Sequence, residues 1–211
     1  MNTITLKGFI RNIQPSHKIK DIEYDKADLI VRRNDGKEDV LNLRFKKFSN
    51  VYKEDQEIEL VGNIRSYSHA VEGGKNKVDI YVFTYFDIPD EGEVGNNPNN
   101  YFTVSGRICK IDEIRTTQNG KQNIHFLLAN NLVFESSNQK LNSYLPCIAW
   151  GKIAKEIAKY SVNDRVTIKG ELHSRNYKKQ ISEDEFELRV AHELLVTSIT
   201  KDEEEPKENA V

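Results

Sequence analysis

The stretch Y-L-P-C-I-A-W-G-K-I-A-K-E-I-A-K-Y, Tyr144–Tyr160, with R-V-T-I-K-G-E-L-H-S-R-N-Y, Arg165–Tyr177, close behind it, contains the only tryptophan of the chain. Trp150 ends an extended run. Gly151 then opens a segment in which Ile153, Ala154, Ile157 and Ala158 recur at the spacing of an apolar helical stripe. A second extended run begins at Arg165, so the local order is strand, helix, strand.

Alternate residues of a strand share a face. In the first run Leu145, Cys147 and Ala149 oppose Tyr144, Pro146, Ile148 and Trp150; in the second, Val166, Ile168 and Leu172 oppose Lys169, His173, Arg175 and Tyr177. The small and aliphatic sets are the natural core, which leaves rings and cations outside. Phosphates select Lys and Arg, and unpaired bases select a π-face at about 1–3 kcal/mol per base, so this mixture suits a single-stranded nucleic acid. Each residue also has a plainer reading. Trp150 could plug a barrel end, the tyrosines could follow strand propensity, and Lys169 and Arg175 could sit on a solvated face. Their common parity favours a binding face.

Working outward, the same order of elements recurs. I-T-L-K-G-F-I-R-N-I (Ile4–Ile13) matches F-T-V-S-G-R-I-C-K-I (Phe102–Ile111), and I-E-L-V-G-N-I-R-S-Y-S-H (Ile58–His69) matches V-T-I-K-G-E-L-H-S-R-N-Y (Val166–Tyr177), which indicates an internal duplication. The glycine inside each strand marks a sharp bend. Strands are expected near 3–13, 27–33, 39–45, 57–68 and 77–87, then near 102–111, 123–130, 143–150, 165–177 and 185–199, with helices near 151–160 and, shorter, near 47–52. Five strands with a helix between the third and fourth is the order of the OB-fold barrel. The expectation is an all-β chain of tandem five-stranded OB-fold barrels. Residues 1–88 form the first domain, the Pro-, Gly- and Asn-rich 89–100 the linker, 101–200 the second domain and 201–211 an acidic, disordered tail.

In the first half Ile58, Leu60 and Ile64 face inward, leaving Arg65, Tyr67 and His69 outward at the positions of His173, Arg175 and Tyr177. Leu41, Leu43 and Phe45 read as core, with Asn42 and Arg44 outside. Equating Phe45 with Trp150 places the two rings on opposite faces, and a slip of one residue reverses that. Tyr81, Phe83 and Tyr85 share a face opposite Val78, Ile80 and Val82, and three rings on an outer face need a cover.

Composition bounds these readings. Of the 211 residues 30% are charged, and the formal net charge is -2. Lys201–Val211, where five carboxylates face two lysines, carries a net -3 and the rest of the chain sums to +1, so any electrostatic footprint is a groove rather than the whole surface. No apolar run is long enough for a membrane span, and the N-terminus lacks signal-peptide features, which points to the cytoplasm. Cys109 and Cys147 read as reduced, buried residues. The five histidines lack ligand spacing, and neither a phosphate loop nor a serine elbow is present, so neither an enzyme, a metal nor a cofactor is expected.

Residues 101–200 resemble the OB domain of bacterial and phage single-stranded DNA-binding proteins. C-I-A-W-G-K-I-A-K-E-I-A-K-Y is similar to that family's strand-to-helix segment, K-G-E-L-H-S-R-N-Y to its G-R-L-Q-T-R-x-[WY] strand, and F-L-L-A-N-N-L-V-F (Phe126–Phe134) to its F-T-L-A-V-N-R-x-[FW] strand. The resemblance implies base stacking on Phe134, Tyr144, Trp150 and Tyr177, and basic positions at Arg175 and Arg107. It also implies four barrels around the DNA, which a homodimer of this chain would supply, with a monomer as the alternative. The family's tail ends in a Pro-Phe pair that recruits replication and repair proteins; K-D-E-E-E-P-K-E-N-A-V has no such anchor.

The expected function is sequence-independent binding of single-stranded DNA in replication, recombination or repair. The expected contacts are Phe134, Tyr144, Trp150, Tyr177, Arg175, Arg107, Lys169, His173, Arg44, Arg65, Tyr67 and His69. Replication or recombination proteins are the further partners. Single-stranded RNA binding, or a protein-interaction adaptor built on the strand around Tyr81 and the acidic tail, are the rival readings. Were the two halves to grip unequally, the tryptophan would favour the second.

Overall fold

The computed structural model describes residues 1–47, 52–71, 75–86, 99–134, 139–181 and 185–202. Its strands are β1 (Asn2–Ile19), β2 (Ile22–Arg32), β3 (Glu38–Lys46), β4 (Glu57–Val71), β5 (Lys75–Phe86), β6 (Asn100–Ile111), β7 (Arg115–Thr116), β8 (Gln122–Phe134), β9 (Gln139–Trp150), β10 (Arg165–Gln180) and β11 (Phe186–Lys201). One helix, α1 (Gly151–Ile157), lies between β9 and β10. The short helix expected near 47–52, the linker and the acidic tail fall largely outside the described residues, as do the side chains of Phe134 and Tyr85.

The strands pair in two closed circuits. Antiparallel pairs join β1 to β2, β2 to β3, β5 to β4 and β4 to β1, and a short parallel pairing of β3 with β5, Leu43 opposite Val82, closes the ring. The second circuit repeats this as β6, β8, β9, β11 and β10, closed by the parallel pair Cys147 and Leu194. An antiparallel pairing of β1 with β6, from Asn2 opposite Val104 to Leu6 opposite Asn100, fuses the circuits into one sheet.

Alternation places the core. Ile4, Leu6 and Ile10 on β1, Leu41 and Leu43 on β3, and Leu60 and Ile64 on β4 are buried, as are Phe102, Val104 and Ile108 on β6 and Val166, Ile168 and Leu172 on β10. Each large aliphatic side chain so buried contributes about 1.5–3 kcal/mol. The bend glycines have a close-approach reason. A Cβ on Gly170, where the β10–β11 register shifts, would lie 1.9 Å from the Leu195 carbonyl oxygen. Gly62 meets the Phe83 carbonyl in the same way at 2.7 Å.

A common set of hydrogen bonds repeats in both circuits. The Asn2 amide brackets Ile64, donating to its carbonyl at 2.7 Å and accepting from its N–H at 2.9 Å; Asn100 brackets Leu172 at the same distances. Across the circuits, Ser66 Oγ accepts from Tyr144 N–H at 2.7 Å, and Ser174 Oγ from Val40 N–H at 2.9 Å. The backbone N–H groups of those serines donate to Ser143 Oγ and to the Asp39 carboxylate, respectively. Asp39 is fully buried and also takes Arg33 Nε at 2.7 Å, while Arg33 Nη2 reaches the Ser174 carbonyl at 2.9 Å. Asp39 therefore corresponds to Ser143, and seven positions on Lys46 corresponds to Trp150. Phe45 is the neighbour, buried in the core and edge-on to Tyr52 at 4.8 Å.

Four expectations need correction. β1 runs well past 13 and β2 begins well before 27, because their hairpin continues beyond the closed circuit; Pro15 is accommodated there near a register shift opposite Asp25. Ile148 has outward parity yet is buried between its register partners His125 and Leu195. Val78 shares the parity of Ile80 and Val82 but is exposed, since the β4–β5 hairpin also projects. Cys147 is buried, with burial pushing its thiol up, but Cys109 is exposed and donates to the Leu127 carbonyl at 3.2 Å.

Candidate nucleic-acid interface

Five strands of the first circuit converge on a groove of about 870 Å³. The β1–β2 hairpin brings His17 against Tyr24, stacked at 4.7 Å with an interplanar angle of 4°, and Tyr24 tilts against Phe83 at 6.0 Å. Antiparallel register sets Arg65 opposite Tyr81, and the parallel β3–β5 pairing sets Arg44 opposite Phe83. The guanidinium groups cross over: Arg65 lies 4.0 Å from the Phe83 centroid and Arg44 4.1 Å from that of Tyr81, with Tyr67 at 5.9 Å. Tyr67, half exposed, stacks on His69 at 5.6 Å, and His69 Nδ1 lies 3.5 Å from Asp79. Lys140 and Leu141, from the β8–β9 hairpin of the second circuit, complete the described lining, and among the described residues it contains no carboxylate. Cations held over rings keep their charge available to a passing anion while fixing the ring faces.

The second circuit presents a different surface. Trp150 is 39% exposed and borders a cleft of about 980 Å³ lined also by Lys121, Gly151, Lys152, Lys155 and Leu195. Gly151 has φ +57, a left-handed conformation that turns the chain from β9 into α1. Asp35, on the β2–β3 turn of the first circuit, reaches this cleft just as the β8–β9 hairpin reaches the first groove. Tyr144 is 49% exposed, with its backbone tied to Ser66. Arg175 lies 5.7 Å from the Tyr177 centroid and 3.7 Å from Glu193, and His173 pairs with Glu171 at 3.0 Å. The cations here are thus partly engaged by acids.

The structure brings Arg44, Arg65, Tyr67 and His69 together, and Arg175 with Tyr177. It does not gather the second set into one patch. Arg107 is exposed, donates to the Asn163 carbonyl at 3.0 Å and sits opposite Ala129; Trp150 sits opposite Asn123, six residues along β8, or about 20 Å. Tyr144 shares the Ala129 row, at the same remove from Trp150. Lys169 is half-buried on β10 between Thr103 and Ser198. Phe134 is on β8 opposite Gln139.

Sequence reasoning missed His17, Tyr24, Lys121, Lys140, Lys152 and Lys155, and left Tyr81 and Phe83 as rings needing a cover. For Tyr24 the signal was the alternation of I-E-Y-D-K-A, obscured by Pro15 and the charged turn after it. Among the described residues no group of three or more acidic, His or Cys side chains could hold a metal ion, and no helix is long and apolar enough to cross a membrane.

Two fused strand circuits thus carry exposed rings and cations concentrated in grooves. Residues 99–198 match the model of the single-strand binding protein family. Single-stranded DNA-binding protein A of Bacillus subtilis is 29% identical over 96 residues, 44% of this chain and 56% of that protein, so the chain spans about half the length of this relative. The chain is similar in fold to the wild-type single-stranded DNA binding protein from Thermus aquaticus: TM-score 0.71, 16% identity, covering 100% of this chain and 97% of that one. A deletion variant of the Thermus protein aligns at TM-score 0.70 over 99% of this chain and 98% of its own.

Proposed function

We propose that the chain is a tandem OB-fold protein that binds single-stranded DNA, stacking bases on its rings and neutralising phosphates with its cations. The observation that carries this reading is the first-circuit groove, where Tyr24, Tyr67, Tyr81, Phe83 and His17 are interleaved with Arg44, Arg65 and Lys140. The pairing order of each circuit, first strand to second to third to fifth to fourth and back, supports two OB barrels, with residues 1–88 and 101–200 as domains.

β9 supplies the path between them. Its start, Lys140 and Leu141, lines the first groove; Tyr144 lies midway; its end is Trp150 in the lysine-rich cleft. A strand of DNA following β9 would cover about 33 Å. Lys121, Lys152 and Lys155 then join Arg175 as phosphate contacts on the second barrel. Protection of single strands during replication, recombination or repair is the role this binding serves, in the cytoplasm and as a homodimer that places four barrels on the DNA.

Titration of Trp150 fluorescence with oligo-dT and oligo-U tests the reading. Tight, salt-sensitive quenching by oligo-dT supports it; tighter binding of oligo-U would replace DNA by RNA. Sedimentation with and without oligo-dT measures the assembly.

A further inference from the structure

Beside the aromatic groove, and sharing Arg44 and Tyr81 with it as a common wall, lies a separate pocket of about 270 Å³ lined by side chains of a different kind. Asn12, Gln14, Lys26, Asp28, Asn42 and Asp79 supply its polar groups. The two carboxylates are matched by Lys26 and Arg44, so the pocket offers no net charge to attract a phosphate. The groove beside it, whose described lining includes Arg44, Arg65 and Lys140, does. Backbone and base therefore have separate places to go.

Two hydrogen bonds fix which atoms the pocket has to spare. Asn12 Nδ2 donates to Asp28 Oδ2 at 2.7 Å, and Asn42 Nδ2 donates to the Ile80 carbonyl at 3.0 Å. Neither acceptor can donate, which orients both amides and leaves their Oδ1 atoms, with Asp28 Oδ1, as acceptors. Asn12 is held for this in the left-handed region, φ 55, at a register shift of β1, its N–H taken by Glu54 Oε2 at 3.0 Å. A non-glycine residue in that conformation carries strain and persists where its surroundings enforce it. Lys26 and the Gln14 amide provide donors. The corresponding positions of the second circuit, from the shared registers, are Leu127 for Asp28 and Pro146 for Asn42, so the fold itself does not require these polar groups.

We propose that this pocket reads the hydrogen-bonding edge of one base of a bound single strand, accepting bases that present an amino group beside a ring-nitrogen acceptor, cytosine and adenine, over thymine and uracil. It rests on the single-strand reading above and adds a base preference to it. The Asp28 carboxylate accepts from the exocyclic amine, and Lys26 or Gln14 donates to the adjacent ring nitrogen. Thymine or uracil seated in the same register would set its O4 carbonyl against Asp28 and its N3–H against the Lys26 or Gln14 donor, the penalty by which a polar site rejects a near-isostere. At about 30 Å³ per water the pocket has room for several waters, enough for one flat ring entering edge-on.

Deoxycytidine and deoxyuridine have rings of one size, so they isolate this effect. Fluorescence anisotropy is measured for the full chain on an all-deoxyuridine oligonucleotide and on copies with three consecutive deoxycytidines scanned along its length. The expected result is roughly five- to tenfold tighter binding at the best placement. Asp28→Leu, which installs the second-circuit residue, or Asn42→Ala should each reduce the gain to within about twofold while keeping affinity for the all-deoxyuridine strand. Equal binding at every placement overturns the base-reading pocket and spares the single-strand reading, as does a gain that both folded variants retain. Failure to bind any of the oligonucleotides overturns both.

Discussion

Replacing Asp39 by alanine should loosen the junction between the two circuits. The carboxylate is fully buried and accepts from Arg33 Nε, Arg33 Nη2, Ser174 N–H and Ser174 Oγ. Removing it strands the Arg33 guanidinium, whose side chain is 20% exposed, and leaves the Ser174 N–H without its acceptor. Removing one partner of a buried pair costs about 3–5 kcal/mol, and the access of Arg33 to water puts this case at the lower end, about 3 kcal/mol. For a chain of this length that is a fall of about 6–12 °C in Tm. Asp39→Ser, which copies Ser143, should recover part of the loss because a hydroxyl can still accept from Ser174. Scanning calorimetry of Asp39→Ala, Arg33→Ala and the double variant reads the coupling directly. The double variant should be less destabilised than the two single losses combined. A Tm within about 1 °C of the parent for Asp39→Ala, or strict additivity, would refute the clasp.

Other consequences can be checked independently. Gly170→Ala drives a Cβ into the Leu195 backbone and should cost more than about 3 kcal/mol, whereas Gly36→Ala, with open space but φ +82, should cost only about 1–2 kcal/mol; comparable urea midpoints would refute the distinction. His192 on β11 bonds the Val40 carbonyl at 2.8 Å, and burial lowers its pKa below the ordinary 6.5. Its contribution is therefore complete above pH 6.5 and is lost as pH falls below that value; His192→Gln should flatten the Tm profile between pH 7.5 and 5.5, and an unchanged profile would contradict this. Arg44→Ala should reduce the slope of log affinity for oligo-dT against log salt by about 0.7, the share of one phosphate contact on a single strand.

The strand order, the inward faces and the duplication were legible because each is written in short-range alternation. Ile4, Leu6 and Leu60 recur in the second half as Phe102, Val104 and Ile168, and all are buried. The hairpins beyond the closed circuits were not legible, since their faces are mostly solvated and alternation loses its meaning there. The first groove was hidden for another reason: His17, Tyr24, Arg44, Arg65 and Phe83 come from five separate strands, and only register brings them together. Register also settles the tryptophan's counterpart. Lys46 stands at that position, so the first circuit lacks a matching ring on β3 and carries its aromatic surface on β1, β2, β4 and β5 instead.

The central claim is that both circuits hold single-stranded DNA through exposed rings, and paired double variants test it most directly. Tyr24→Ala with Tyr67→Ala removes two rings from the first groove; Trp150→Ala with Tyr177→Ala removes two from the second circuit. At about 1–3 kcal/mol per stacked base, each pair should weaken oligo-dT binding by at least about tenfold at fixed salt while leaving Tm nearly unchanged. If both double variants stay folded and bind within about twofold of the parent, stacking on these surfaces is not what holds the DNA.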